Sequence, residues 1–431
     1  MTYPAAIEYL YGLQKHGIKL GLEPMTALLH ALGRPERTLR ILHIGGTNGK
    51  GSTAAMAAAI LQASGMRVGL YTSPHLVEFR ERIRVNGAMI PDDRLAGLVD
   101  VVRAAIPPGL TPTFFEVTTA MALRYFVESQ VDIAVLEVGL GGRFDATNVV
   151  EPIACAITTI ALDHQEYLGR TESAIAFEKA GIIKPAVPVV IGRMGPEART
   201  VMQKIAAERE APLWRLGEEF TVEGDEPACF TYRGRTRVFE KLRCALSGRH
   251  QLDNAACALA LLEASGEVGA RVDESAVRTG LQSVTWEGRL ELIDEDPRVL
   301  LDGAHNPAAA VVLGRYLEEF LLRHPEAHII LVWGMMRDKD HREFIAPLLP
   351  FISEVVLTQA ALSRSATVQD LRLALADWQK PVFDALQPID ALRAARQRAS
   401  AQDLVCVTGS LMLVGDIKAA VRGCGLSLIR G

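Results

Sequence analysis

Short, continuously apolar runs alternate with amphipathic or alanine-rich segments through the first 190 residues of this chain. A strand with one wet face reads apolar, polar, apolar. A strand that is apolar throughout must be covered on both faces, the condition met in a parallel sheet flanked by helices. Residues 40–44 read as such a strand, followed by a glycine-rich turn and a helix over 52–64. Residues 68–71, 131–138, 152–160 and 187–191 read as further strands, and 112–127 contains a helix. Residues 212–240 break the pattern. They are richer in charge and glycine, with short strand-like pieces such as 237–239, before a helix resumes over 248–266. A second α/β series follows 286–289, with strands at 299–301, 329–333, 354–357 and 404–407. The expected fold class is α/β. A P-loop-containing, doubly wound, mostly parallel sheet domain (1–287) precedes a smaller Rossmann-like α/β domain (288–431). A chain of 431 residues is long enough for two or three domains.

Composition removes several function classes. Lys and Arg number 46 against 51 Asp and Glu, net −5, so no basic footprint for nucleic acid is present. No apolar run is long enough to span a bilayer, and residues 1–10 lack the pattern of a signal peptide. The six cysteines are scattered, with no Cys-x-x-Cys spacing, which argues against a zinc site or disulfide framework and for a reducing cytoplasm.

The segment His43-Ile-Gly-Gly-Thr-Asn-Gly-Lys-Gly-Ser-Thr53 lies between a strand and a helix. Small residues there let backbone N–H groups converge on phosphate oxygens at a helix N-terminus. Lys50 would reach the β and γ phosphates and Ser52 a magnesium ion. The strict P-loop pattern fails twice: its first glycine would fall at Ile44, and Gly51 separates Lys50 from Ser52. A glycine-rich turn alone is often just a turn. Strand, lysine and serine-led helix together favour phosphate.

Glu137 closes the run 131–138, where a carboxylate is costly unless paired or metal-bound. Open parallel sheets hold ligands at the C-terminal ends of their strands, and Asp163-His164 follows another run at that edge. Magnesium takes oxygen ligands, a role that suits Glu137. On chemistry and composition alone His164 reads as a hydrogen-bonded structural residue and Lys179 as a helix-surface lysine, while Asp145 also reads as a turn-shaping residue and Asn254 as a helix N-cap.

The loop Gly46-Thr-Asn-Gly-Lys-Gly-Ser52 resembles the modified P-loop of folylpolyglutamate synthases and dihydrofolate synthases, in the Mur ligase superfamily. The resemblance extends through Gly17-Ile-Lys-Leu-Gly-Leu22, Tyr71-Thr-Ser-Pro-His-Leu76 and Leu136-Glu-Val-Gly-Leu-Gly-Gly-Arg-Phe-Asp-Ala-Thr-Asn148. It continues in Leu162-Asp-His164, Glu178-Lys-Ala-Gly-Ile182, Leu301-Asp-Gly-Ala-His-Asn-Pro307 and Thr408-Gly-Ser-Leu411. It implies ATP-dependent addition of L-glutamate to dihydropteroate, to the γ-carboxylate of reduced folates, or to both, through an acyl phosphate, with release of ADP and phosphate.

By that resemblance ATP is held by Thr47, Asn48, Gly49, Lys50, Gly51, Ser52, Asn254, Arg289 and Asp302. Two Mg²⁺ ions would use Ser52, Ser73, Glu137, His164 and Lys179, the lysine as a carbamate made with CO₂. Thr113, Phe115 and Asp145 would hold the pterin, and His305 and Ser410 would face the incoming glutamate. Lys50, Lys179, Arg289 and His305 are the expected catalytic groups. Small molecules are the expected partners, without nucleic acid or membrane, and the enzyme is expected to be a cytoplasmic monomer. Met412 stands where the family often has an aromatic, and 359–366 lacks the usual proline before Arg364. Two alternatives are another Mur-type ligase acting on a cell-wall precursor, against which Gly51 and the Asp145 context speak, and a non-catalytic nucleotide switch, which would not need Glu137, Lys179 or Asp302.

Overall fold

A computed structural model describes residues 1–17 and 21–424. Residues 18–20 of the Gly17–Leu22 motif lie outside the described residues. The chain divides into two compact units. The first comprises Met1–His75, Phe79–Ala245 and Arg249–Thr285; the second comprises Leu76–Glu78, Leu246–Gly248 and the chain from Trp286 onward.

The main sheet of the first unit contains β1 (Ile41–Gly45), β2 (Val68–Tyr71), β3 (Ile83–Val85), β4 (Ala88–Met89), β5 (Ile133–Glu137), β6 (Ala154–Ile157), β7 (Val189–Ile191) and β8 (Leu213–Arg215). Their order is β4-β3-β2-β5-β1-β6-β7-β8, parallel from β2 to β8 and antiparallel at the β3–β4 edge. Every residue of β1, β2, β5, β6 and β7 is buried, as a sheet covered on both faces requires. β9 (Thr221–Glu226), β10 (Cys229–Arg233) and β11 (Val238–Leu242) form a separate antiparallel sheet in the charged, glycine-rich stretch.

The second unit carries β12 (Glu291–Glu295), β13 (Arg298–Leu301), β14 (Ile329–Trp333), β15 (Glu354–Leu357), β16 (Val382–Asp384) and β17 (Leu404–Thr408), in the order β12-β13-β17-β14-β15-β16. Only β12 runs antiparallel. Its apolar runs split cleanly by the two-residue period. Leu331, Trp333, Leu404 and Cys406 pack into one core with Leu313 and Leu317 of the helix Pro307–Arg323. Ile330, Val332, Val405 and Val407 pack into the other with Leu413 and Ile417 of the helix Leu411–Val421. No described helix is long and apolar enough to cross a membrane.

Two differences from the sequence reading bear on function. The helix after β1 starts at Lys50 rather than Ser52, because Gly49 takes the left-handed N-cap position at φ 86°. The run read as a strand over 152–160 leaves the sheet after Ile157, because Thr158 and Thr159 hydrogen-bond to the loop after β1.

Candidate active site

In the first unit the C-terminal ends of β1, β5 and β6 are neighbours. The loop after β1 is bent by Gly46 (φ 136°) and Gly49 (φ 86°). A Cβ on Gly46 would lie 2.1 Å from Thr158 Oγ1, and one on Gly49 would lie 2.3 Å from Asn254 Oδ1. The loop after β6 supports this turn. Thr47 N donates to Thr159 O at 2.7 Å and Asn48 N to Thr159 Oγ1 at 3.0 Å, while Thr158 Oγ1 donates to Asn48 O at 2.6 Å. The Thr47 hydroxyl donates to Ala161 O and accepts from Ala161 N. Thr158 and Thr159 were not singled out from sequence; the one signal is a polar pair closing an apolar run. Gly49→Ala is expected to cost about 1–2 kcal/mol from the left-handed backbone alone and to weaken ADP binding by displacing Asn254. Denaturant unfolding and calorimetry measure the two effects.

Two lysines converge on this loop. Lys50 Nζ donates to Gly46 O at 3.0 Å and to Thr47 O at 2.9 Å. Lys179 Nζ donates to the same Gly46 carbonyl at 2.9 Å. Lys179 lies in the helix Glu172–Ala180 but is only 5% exposed, so the helix-surface reading does not hold. Burial first, and the Lys50 charge second, push its pKa down to about 7, against the opposite pull of Asp163 and Asp145. A large share of the folded chains therefore carries a neutral amine at this position near neutral pH. Between about pH 7 and the ordinary lysine range, the unfolded chain holds a proton that the folded chain does not. Stability should therefore rise with pH across that window. Lys179→Met removes the group, and its unfolding free energy should rise less steeply between pH 7 and 9 than that of the parent chain. Parallel slopes in denaturant titrations would contradict the assignment.

Glu137 closes β5 with 5% exposure, and its Oε2 accepts from Ser73 N at 3.1 Å. Ser52, in the first turn of the helix Lys50–Ala63, is 2% exposed. Serine and carboxylate oxygens suit magnesium, which keeps several waters and takes one or two carboxylates together with phosphate. No group of three His, Cys, Asp and Glu side chains able to hold a metal occurs among the described residues. His164 stands in the left-handed region at φ 48°. Its backbone N–H donates to Asp163 Oδ1 at 2.9 Å, and its ring Nε2 lies 3.9 Å from the same oxygen, with the side chain 41% exposed. The structure joins Glu137 to Ser73.

The proposed pterin residues form a third cluster. Asp145 Oδ2 accepts from Gly139 N (3.1 Å) and Leu140 N (2.8 Å), and Oδ1 from Thr147 N (3.0 Å) and Thr147 Oγ1 (2.5 Å). These bonds make Asp145 a turn-shaping residue whatever else it does. Burial raises its pKa against the pull of those four bonds. Phe115 lies against Gly139, where a Cβ would come within 2.4 Å of the ring, and its ring centroid is 6.0 Å from that of Tyr71. Thr113 caps the helix Phe114–Glu128 in a reciprocal capping box with Glu116. Beneath them Thr147, having given its proton to Asp145, accepts from His43 Nε2 at 2.8 Å. His43 is fully buried, and burial lowers its pKa to about 3, so it is neutral. Nothing in an apolar strand distinguished this histidine. Asp145→Asn would turn an NH₂ toward a pair of donors in either orientation. It is expected to destabilise the first unit by about 2 kcal/mol, read by denaturant unfolding.

Asn254 is not an N-cap. The helix His250–Ala264 begins four residues earlier and is capped at Arg249. Asn254 instead meets the phosphate loop through Gly49 and takes a hydrogen bond partner in Gln251, with its Nδ2 donating to Gln251 Oε1 at 2.9 Å.

In the second unit Arg289 precedes β12, Asp302 and His305 follow β13, and Ser410 follows β17; Gly303 N donates to Gly288 O at 2.9 Å and Gly409 N to Ala304 O at 3.1 Å, which links the three segments. Asp302 accepts from Leu290 N and Ala304 N, each at 2.9 Å. Arg289 Nη1 donates to Gly288 O at 3.1 Å and lies 2.4 Å from where a Gly303 Cβ would be; Leu411 crowds the same point at 2.3 Å. His305 Nδ1 lies 2.8 Å from Gly303 O, so Nδ1 carries the proton. Ser410 accepts from Leu413 N at 3.0 Å, which leaves its hydroxyl proton available to donate.

Comparison with known proteins places these clusters in context. Residues 44–262 match the Mur ligase middle domain, and 288–411 match the Mur ligase glutamate ligase domain. The chain is 35% identical over 437 residues to the dihydrofolate synthase/folylpolyglutamate synthase of Bacillus subtilis (strain 168), covering 98% of this chain and 99% of that one. Escherichia coli FolC in complex with DHPP and ADP superimposes with a TM-score of 0.90 at 33% identity, over 98% of both chains. The bifunctional folylpolyglutamate synthase/dihydrofolate synthase of Yersinia pestis, complexed with AMPPNP and Mn ion, gives 0.88 at 33% identity, also over 98% of both.

Proposed function

Because the chain belongs to the folylpolyglutamate synthase/dihydrofolate synthase family of Mur ligases, we propose that it uses ATP to join L-glutamate to the carboxylate of dihydropteroate, of a reduced folate, or of both. The observation that carries this reading is the loop Gly46–Ser52, with two lysines on one of its carbonyls and Asn254 seated on its glycine. A substrate carboxylate oxygen attacks the γ-phosphorus of ATP, the bond to the β-phosphate oxygen breaks, and ADP leaves behind an acyl phosphate. The amine of glutamate attacks the acyl carbon, a proton is lost, and phosphate departs from the tetrahedral intermediate. Backbone N–H groups of the loop orient the phosphates, and Lys50 exchanges its two carbonyl partners for phosphate oxygens. Magnesium, when bound, spreads the charge of the transferring phosphoryl group. Ser52, Ser73 and Glu137 would hold one ion, with His164 and Lys179 toward a second.

Lys179 enters this scheme as a carbamate. Its neutral amine adds to CO₂ and loses a proton to solvent, which replaces an ammonium by an anionic oxygen donor. Thr113, Phe115 and Asp145 are assigned to the pterin. Arg289 and Asp302 are assigned to the nucleotide, and His305 and Ser410 to glutamate. The domain assignment is 1–287 for ATP and folate and 288–431 for glutamate. The enzyme is read as a cytoplasmic monomer without nucleic-acid or membrane partners, in keeping with a net charge of −5 and six scattered cysteines that form no disulfide. Oxygen-18 in the substrate carboxylate tests the intermediate: one labelled oxygen should appear in the released phosphate. Unlabelled phosphate formed at the rate of ligation would contradict an acyl phosphate.

A further inference from the structure

Arg82 is a buried cation with no carboxylate in ion-pair contact among the described residues. It ends the 3-10 turn Phe79–Arg82 and is 2% exposed. Its Nε donates to His75 Nδ1 at 2.8 Å, and among the described residues neither Nη makes a hydrogen bond or an ion pair. Because Nδ1 of His75 accepts, that ring is neutral and supplies no negative charge. The remaining contacts are ring faces: the guanidinium carbon lies 5.2 Å from the Phe114 centroid and 5.9 Å from that of Phe79. Cation–π contacts contribute about 0.5–2 kcal/mol, whereas burying an ion costs several. Burial also weakens the hold of Arg82 on its proton, with Tyr71, Tyr11, Glu81 and Glu137 pulling the other way. Neither Nη is among the buried polar atoms sealed from solvent without a partner, so both retain an opening.

The backbone of Arg82 is tied to the sheet edge that carries the chemistry. The Arg82 carbonyl accepts from Thr72 N at 3.1 Å, and the next residue, Ser73, gives its N–H to Glu137. Tyr71 pairs in register with Leu136, one residue before Glu137, and its ring neighbours Phe115. A guanidinium offers paired donors that match a carboxylate. We propose that Arg82 receives the carboxylate of a pteroate-type substrate, the group that ATP activates, on its two Nη atoms. The inference rests on the function proposed above, and it makes the substrate the missing counter-ion.

Binding of pteroate and of its neutral carboxamide, measured by calorimetry, tests it. A charged hydrogen-bonded pair of this kind gives the parent chain a preference of about 10- to 100-fold for the carboxylate. In Arg82→Met the preference should fall close to unity, with the carboxamide and ADP bound as before. An unchanged preference in that variant would overturn the proposal. If Arg82→Met does not fold, Arg82→Lys decides: it keeps the charge and loses the fork. A several-fold fall in preference supports the assignment, and an unchanged preference overturns it. Should the parent chain show no glutamate-dependent phosphate release with pteroate-type substrates, the proposed function fails. Release in the parent with an unchanged preference in the variants removes Arg82 alone.

Discussion

Lys50→Ala is expected to lower turnover by about 10²–10³-fold, the loss found when one preorganised group facing developing charge is removed. The fold should survive, because Lys50 is only partly buried and its bonds to Gly46 O and Thr47 O stay within its own loop. Those bonds hold the ammonium where a phosphate oxygen would replace them. A second consequence follows from its neighbour. The Lys50 charge is one of the forces that lower the pKa of Lys179. Its removal should raise that pKa and shrink the neutral fraction near pH 7. The variant should therefore depend more steeply on pH and CO₂ than the parent chain. Steady-state phosphate release at fixed CO₂ across pH 6.5 to 9 reads both effects. Near-parental release at pH 7 would remove Lys50 from the phosphate-binding role.

Lys179→Arg is expected to be nearly inactive, although it preserves charge and length. Arginine stays protonated and cannot form a carbamate. It would also place a permanent, larger cation where burial leaves 5% exposure and Lys50 already donates to the same carbonyl. A lysine that served only to hold Gly46 O would tolerate the change in part. Depleting CO₂ should slow the parent enzyme. The effect should weaken as pH rises through 7, where more amine is neutral and competes better for the remaining CO₂. Acetate or a similar short acid should partly restore Lys179→Ala by supplying the missing carboxylate. Activity in Lys179→Arg above about a tenth of parental, against the several kcal/mol an unpaired buried ion costs, would contradict the carbamate.

The fold was legible where burial acts on whole strands. Ile330 and Val332 face one core and Leu331 and Trp333 the other, so the run reads as apolar throughout, and only a two-sided sheet explains it. The phosphate loop was legible because glycine, lysine and serine sit within a few residues of one another. Contacts made across the fold were not. The threonines at 158 and 159 extended an apolar run on paper, and only the folded chain turns them onto the loop after β1. The burial of Lys179 depends on what its helix packs against, not on its own sequence. Asn254 reads as a cap only until the helix start is known. Arg82 sits in a charged stretch, Glu-Phe-Arg-Glu-Arg, that gives no sign which arginine goes inside without a carboxylate.

The most direct test of the account is phosphate release from ATP, measured with and without L-glutamate, in the presence of dihydropteroate and of tetrahydrofolate in parallel. Release that requires both glutamate and at least one of the two acceptors, in a one-to-one ratio with glutamylated product, is the predicted result. ATP hydrolysis indifferent to glutamate and to both acceptors, or no hydrolysis despite ATP binding, would contradict it.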